Sequence, residues 1–284
     1  MRAGAAIAAL LLAASGASAQ NAVSFSPDIT ANLGTVAPAV VTDEDVAIDD
    51  AAGSVVLFLP AGTLPPAVDV DGYDLLPTGE SLLVVDVTVT LPGLPPGMPA
   101  EPRDVVSYDP VTTLFTTVFD GSAAAVPANA RIDAVATDPG GDLLLSFDTS
   151  VTLPGVGAVD DEDLVVFMGG PFAMLFDGSA NGVAPGLDLD AAHRVVGTDE
   201  LQVSFDGSGV LAGVFFDDED VLTFDLVTLT YAMFADSSLS DPVDWPAADL
   251  VALPEPGGAA SLLAGAALLA LLAAGRRSSR TRAA

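Results

Sequence analysis

Short apolar runs rich in Val, Leu and Phe recur along the chain, each cut off by Asp, Gly, Pro or Ser. Runs of this length and composition between turn formers predict β-strands. No stretch between Gln20 and Gly257 repeats apolar residues at the helical period over a useful length. The runs also resemble one another. Leu143–Asp148 (LLLSFD) matches Leu201–Asp206 (LQVSFD), and DDEDLVVF from Asp160 matches DDEDVLTF from Asp217. Phe172–Ser179 (FAMLFDGS) matches Tyr231–Ser238 (YAMFADSS).

Two looser copies precede these. One joins Leu82–Asp86, Arg103–Asp109 and Phe115–Ser122; the other joins Ala22–Ser26, Thr42–Asp49 and Val55–Phe58. The last acid of the turn falls at Asp45, Asp104, Asp163 and Asp220, at intervals of 59, 59 and 57 residues. Internal repetition at such a period marks a repeat architecture in which neighbouring units bury one another's faces.

Four strand signals per unit predict an all-β repeat fold, a four-bladed β-propeller-like ring. The strand before each LLLSFD-like strand is Tyr73–Leu76, Ile132–Ala136 and His193–Val196. A fourth, Asp249–Leu253, has no partner after it, and Ala22–Ser26 has none before it. Pairing these two would close the ring and remove two exposed edges. A β-sandwich built from the same strands is the alternative. The repeats define one domain, residues 20–253.

Charge and cysteine content narrow the function. The chain of 284 residues has 39 acids, eight Arg, no Lys, one His and no Cys, for a net charge of −31. Gln20–Gly257 holds all 39 acids against three Arg, a formal charge of −36. Such a body does not bind nucleic acid by charge. A composition that is 51% hydrophobic excludes a disordered acidic tail. Lack of Cys excludes disulfides, thiol catalysis and thiolate metal sites.

The two ends read as addresses. Residues 1–19 have Arg2, an apolar run from Ala5 to Ala14 and the cleavage site Ala17-Ser18-Ala19, the order of a secretory signal peptide removed by signal peptidase. At the other end, Leu253 is followed by Pro254-Glu255-Pro256, the apolar run Ala259–Ala274, and Arg276, Arg277, Arg280 and Arg282. As a helix, Ala259–Ala274 would be about 24 Å long, just short of a bilayer's hydrocarbon core of about 30 Å. The Arg cluster would hold its end in the cytoplasm, leaving the body outside.

A simple C-terminal anchor would explain the helix and the Arg residues but not Pro254-Glu255-Pro256. The whole tail, 254–284, resembles the PEP-CTERM sorting signal of Gram-negative bacteria, with Leu253 where Val is usual. The resemblance implies recognition by an exosortase and delivery to the cell surface or the extracellular matrix. Such proteins are linked to exopolysaccharide and biofilm, which implies a structural or adhesive, non-enzymatic role. Contact with the membrane would then run only through the C-terminal helix.

The acidic turns are the sharpest candidate chemistry. Asp43, Asp45, Asp104, Asp160, Asp161, Asp163, Asp217, Asp218 and Asp220 occupy equivalent places in the repeats. Crowded carboxylates suit Ca²⁺, with Asp148 or Asp206 assisting. The other reading is that the final Asp of each turn binds backbone N–H groups while its neighbours face water. The DGS segments at Asp120 and Asp177 predict turns with Gly at positive φ and Asp as cap. A glycan-binding module or a surface hydrolase built on two carboxylates are further readings. His193 is expected at a loop or strand edge. Tyr108 and Tyr231 are expected in the core, and Trp245 covering the last blade.

Overall fold

The computed structural model describes residues 23–27, 31–33, 39–42, 45–49, 55–57, 59, 62–218, 220–236 and 248–252. Side chains of residues 23–39, 49, 55, 56 and 248–252 are not described. Residues 1–19, read as a signal peptide with Ala17 and Ala19 at its cleavage site, Asp43, Trp245, the expected sorting motif Pro254–Pro256 and the run Ala259–Ala274 all lie outside the described residues. Among the described residues no helix is long and apolar enough to cross a membrane.

The first repeat contributes β1 (Val23–Pro27), β2 (Ala31–Leu33), β3 (Ala39–Val41), β4 (Ala47–Asp49) and β5 (Val55–Leu57). The second contributes β6 (Val70–Leu75), β7 (Ser81–Val85), β8 (Val105–Asp109) and β9 (Leu114–Phe119). The third runs through β10 (Ile132–Thr137), β11 (Leu143–Phe147), β12 (Val151–Leu153), β13 (Gly157–Val159), β14 (Leu164–Phe167) and β15 (Phe172–Phe176). The fourth comprises β16 (Ala191–Arg194), β17 (Glu200–Ser204), β18 (Gly209–Leu211), β19 (Val214–Phe216), β20 (Val221–Asp225) and β21 (Thr230–Ala235). The last strand is β22 (Ala248–Ala252).

These strands form four antiparallel four-stranded sheets, ordered β22-β1-β4-β5, β6-β7-β8-β9, β10-β11-β14-β15 and β16-β17-β20-β21. Each sheet is a blade. The innermost strands β22, β6, β10 and β16 touch in a ring, each packing on the next and β16 returning to β22. The molecule is therefore a four-bladed β-propeller rather than a sandwich. As expected from the unpartnered end strands, β1 and β22 pair antiparallel, Ser24 with Ala252 and Pro27 with Ala248. The first blade is thus completed by the two ends of the body.

Burial explains the sequence pattern of the second strands. Each blade is covered on both sides, so β7 and β11 are buried at every position. Strands covered on two faces read as continuous apolar runs rather than alternating ones. Successive residues then serve different neighbours. Leu145 and Phe147 pack toward the second blade with Leu82, Val84 and Phe119. Leu144 packs toward the fourth with Leu201, Val203 and Phe205. Tyr108 and Tyr231 lie in this core against Phe115 and Phe224, with ring centroids 5.0 and 4.8 Å apart.

Three two-stranded ribbons, β2–β3, β12–β13 and β18–β19, leave the blades between the second and third strands. The second blade has a single bridge there, Val89 to Ala100. They were not evident in the sequence because their strands are three residues long. The inner strands carry small side chains (Gly72, Ala134, Ala136, Ala191, Ala192), since four strands around one axis leave little room. A Cβ at Gly72 would lie 3.2 Å from the Asp133 carbonyl oxygen on β10.

Candidate functional site

The inner strands run the same way, so one face of the ring collects their starts, the ends of the second strands and the acidic turns. On this face, at the axis, is a cavity of about 180 Å³ lined by Asp71, Arg131, Asp133, Asp148, Asp188, Asp190 and Asp206. Its residues come from the repeat. Asp71, Asp133 and Asp190 each follow an apolar residue at the start of an inner strand, and Asp249 holds the same place in β22. Pairing breaks register between Val70 and Gly72 and between Ile132 and Val135. These bulges re-aim side chains at the blade end, and they fall at Asp71 and Asp133.

A second set of repeated acids holds the cavity wall. Asp86 accepts the N–H of Asp69 (2.8 Å), Asp148 that of Arg131 (2.9 Å) and Asp206 that of Asp188 (2.8 Å). Each ties the end of a second strand to the entrance of its inner strand. Asp148 and Asp206 therefore belong to this lattice and to the axial cavity.

Electrostatics in the cavity are lopsided. Arg131 is the one cation in its lining, 2.6 Å from Asp71. Ser204 donates to buried Asp190 over 2.7 Å. Among the described residues, Asp133 Oδ2, Asp188 Oδ1 and Arg131 Nε have no hydrogen-bond partner. Burial, then the surrounding Asp charges, pushes the Asp133 carboxyl up to about 10. Burial raises Asp188 to about 7, helped by Asp161 and Asp206. It raises Asp71 to about 6 despite Arg131, and it raises Asp190 well above the ordinary carboxylate range. Like charges in one desolvated space cannot all ionise, so the cavity retains protons at neutral pH.

The acidic turns are built differently. The four repeated acids Asp45, Asp104, Asp163 and Asp220 are buried, at 4, 8, 5 and 5% exposure. Each accepts the backbone N–H three residues earlier: Thr42, Glu101, Asp160 and Asp217, at 2.9 to 3.0 Å. The second oxygen of Asp104 takes the N–H of Gly121 (2.8 Å), and that of Asp163 takes the N–H of Gly178 (2.9 Å). One carboxylate thus closes its own turn and clamps the end of the outermost strand. This is the backbone-capping arrangement. Asp160 and Asp217 are exposed, and Asp160 accepts from Ser150 (2.8 Å). Asp161 and Asp218 are half-buried. Among the described residues no three His, Asp or Glu side chains form a group suited to a metal ion.

The DGS turns need their glycines for another reason than the expected one. Gly178 has φ −58°, and Gly121 is absent from the positive-φ positions. Instead a Cβ at Gly121 would collide with the Arg103 carbonyl, and one at Gly178 with the Glu162 carbonyl and side chain. The clamp draws the two turns that close. Asp120 and Asp177 do cap, each accepting from the serine hydroxyl and the next N–H. Gly178→Ala is expected to cost about 2 kcal/mol by overpacking against backbone, measured as a lower denaturant midpoint with unchanged slope.

His193 lies on β16, the strand at the inner edge of its blade, where the ring covers it. It is buried, its Nδ1 3.7 Å from Asp74 Oδ1 of β6 on the facing blade. The other Asp74 oxygen accepts from the N–H and hydroxyl of Thr137 on β10, at 2.9 and 3.1 Å. This polar group links three inner strands at the opposite end of the channel from the acids.

No family model and no curated protein matches the chain. Among solved structures it is similar to YCF48 bound to D1 peptide, at 8% identity and TM-score 0.33, covering 74% of this chain and 51% of that one. It is also similar to the extracellular domain of BT4673 from B. thetaiotaomicron, at 9% identity and TM-score 0.35, covering 77% and 28%. A protein of unknown function from Bacteroides caccae aligns at 10% identity and TM-score 0.33, covering 78% and 74%. The chain spans about half the length of the first of these structures and 28% of the second.

Proposed function

We propose that this chain is an exported cell-surface or extracellular-matrix protein, sorted through its PEP-CTERM-type tail, with a structural or adhesive role in an exopolysaccharide layer. The observation that carries the reading is the order Pro254-Glu255-Pro256, apolar run, Arg cluster at one end of the sequence, with Arg2, the apolar run Ala5–Ala14 and Ala17-Ser18-Ala19 at the other. Two features of the body support it. A ring completed by its own end strands leaves no inner edge open to mispairing outside the cell. A coat of uncompensated acids keeps such a ring soluble and apart from its neighbours. The carboxylates around the axis recur from blade to blade, as architecture does, whereas a hydrolase needs one asymmetric pair.

The test is expression in a Gram-negative host that carries an exosortase. The unaltered chain should appear at the surface with a mass lacking the tail. The variant with Pro254→Ala, Glu255→Ala and Pro256→Ala should keep the tail and stay with the inner membrane. Identical processing of both chains would overturn the reading. Deletion of the gene should reduce cell aggregation and matrix retention, which separates an adhesive role from sorting alone.

A further inference from the structure

The two faces of the ring differ in chemistry, and the chain leaves from a particular one. Inner strands begin on the acidic face and end on the other. β22 therefore delivers the chain, at Ala252, to the face opposite the acidic turns, beside Ser24 of β1. Only Leu253–Gly258 separates that point from the apolar run at Ala259. Six residues span at most about 20 Å.

That exit face is made of the turns joining first to second and third to fourth strands. Its third-to-fourth turns project aliphatic side chains. Val111 is 90% exposed in the second blade and Val227 70% exposed in the fourth. Leu114, Leu229, Met168 and Val196 are exposed on the same side. The acids within these turns are folded back. Asp109 accepts the N–H of Val111 (2.8 Å), and Asp225 those of Val227 and Thr228 (2.8 and 2.9 Å). The same turn thus presents a Val tip on two blades that face each other across the axis. Nearer the axis, Asp138 caps its own turn through Gly140 and Asp142 N–H groups, and Asp199 pairs with Arg194 at 3.2 Å. Glu80, Asp142 and Glu200 are the other acids there among the described residues.

We propose that the exit face seats on the lipid bilayer while the tail is inserted, with Val111 and Val227 as footings on opposite blades and the acidic face turned outward. This rests on the reading of Ala259–Ala274 as a membrane helix. The short linker keeps the face near the lipid surface. Paired tips on both sides of the axis stand the ring upright, and repulsion of the acidic face from anionic headgroups favours the same orientation. The partner is the lipid surface itself, and the ring's outward surface is then its most acidic one.

The absence of Cys allows unique labelling. Single variants Val111→Cys, Val227→Cys, Asp120→Cys, Asp177→Cys and Leu268→Cys, each in the full chain, would carry an environment-sensitive dye. They would be reconstituted in phosphatidylcholine–phosphatidylglycerol vesicles containing nitroxide-headgroup or brominated acyl-chain lipid. Headgroup nitroxide should quench the dyes at positions 111 and 227 and leave those at 120 and 177 bright, while brominated chains quench position 268. Quenching at 268 with equal emission at 111, 227, 120 and 177 would overturn the seating and leave the membrane helix standing. An unquenched 268 would overturn the helix reading and the seating with it.

Discussion

The propeller is expected to be most stable in mildly acidic solution and to weaken steadily as the pH rises toward 8. The reason is the axial cavity. Burial and neighbouring charges raise Asp71 to about 6, Asp188 to about 7 and Asp133 to about 10. In the unfolded chain these groups titrate near 4. Between those values the folded state binds more protons than the unfolded one, so stability falls with increasing pH. The contribution is fully present below about pH 4 and is lost as the pH passes through each folded-state value. A single such group costs about 1.4 kcal/mol per pH unit over its window. From pH 5 to pH 8 Asp133 alone then removes on the order of 4 kcal/mol, with Asp188 adding a smaller, solvent-screened share.

An opposite slope begins at the acid end. Asp109, Asp120 and Asp225 are held below the usual range by hydrogen bonds from their own turns, so their contribution fades below about pH 4. The optimum therefore falls near pH 4 to 5. Denaturant midpoints measured from pH 4 to 9 check this directly. Asp133→Asn should flatten the slope and leave the variant more stable than the unaltered chain at pH 8. A flat profile for the unaltered chain, or an Asp133→Asn chain weaker than it at pH 8, would show that the cavity ionises freely.

The amino-acid sequence displays the architecture more clearly than the site. Blade number, strand order and the pairing of Val23–Pro27 with Ala248–Ala252 follow from repetition, because each copy restates the same strand boundaries. The ribbons escape notice since three-residue strands such as Val151–Leu153 carry too little periodicity. The acidic turns stand out for their density, yet density does not tell which acid reaches the backbone N–H groups. In the turn of the third blade Asp160 is exposed and Asp161 half-buried while Asp163 is buried, and its partner Gly178 lies 15 residues away. The axial carboxylates are the reverse case. Asp71, Asp133 and Asp190 recur as single acids after an apolar residue, a signal present in the repeat but quiet beside DDED. Their convergence also depends on bulges and on ring closure, which local sequence does not encode. His193 shows the same limit: its Asp74 partner comes from a blade across the axis, 119 positions away in the chain.

Asp163→Ala is expected to be among the most damaging substitutions in the body even though it lies in a surface turn. Its two oxygens receive the N–H groups of Asp160 and Gly178, and its removal orphans both. Each buried donor left without a partner costs roughly 1–3 kcal/mol, so the variant should lose about 2–4 kcal/mol. For a body of this size that lowers Tm by roughly 5–15 °C. Asp163→Asn separates this account from a solvated-turn role. An amide supplies one acceptor oxygen and turns its NH₂ toward the other donor, so Asn should cost nearly as much as Ala. Asp217→Asn, at an exposed neighbour in the equivalent turn, should stay within about 0.5 kcal/mol. Saturating Ca²⁺ should not rescue Asp163→Ala, because the lost contacts are to peptide nitrogen. Full tolerance of Asp163→Asn, or recovery of its Tm by millimolar Ca²⁺, would return these turns to the cation-binding reading. The same substitution at Asp104, which clamps Gly121 identically in the second blade, should reproduce the loss, since the device belongs to the repeat and not to one blade.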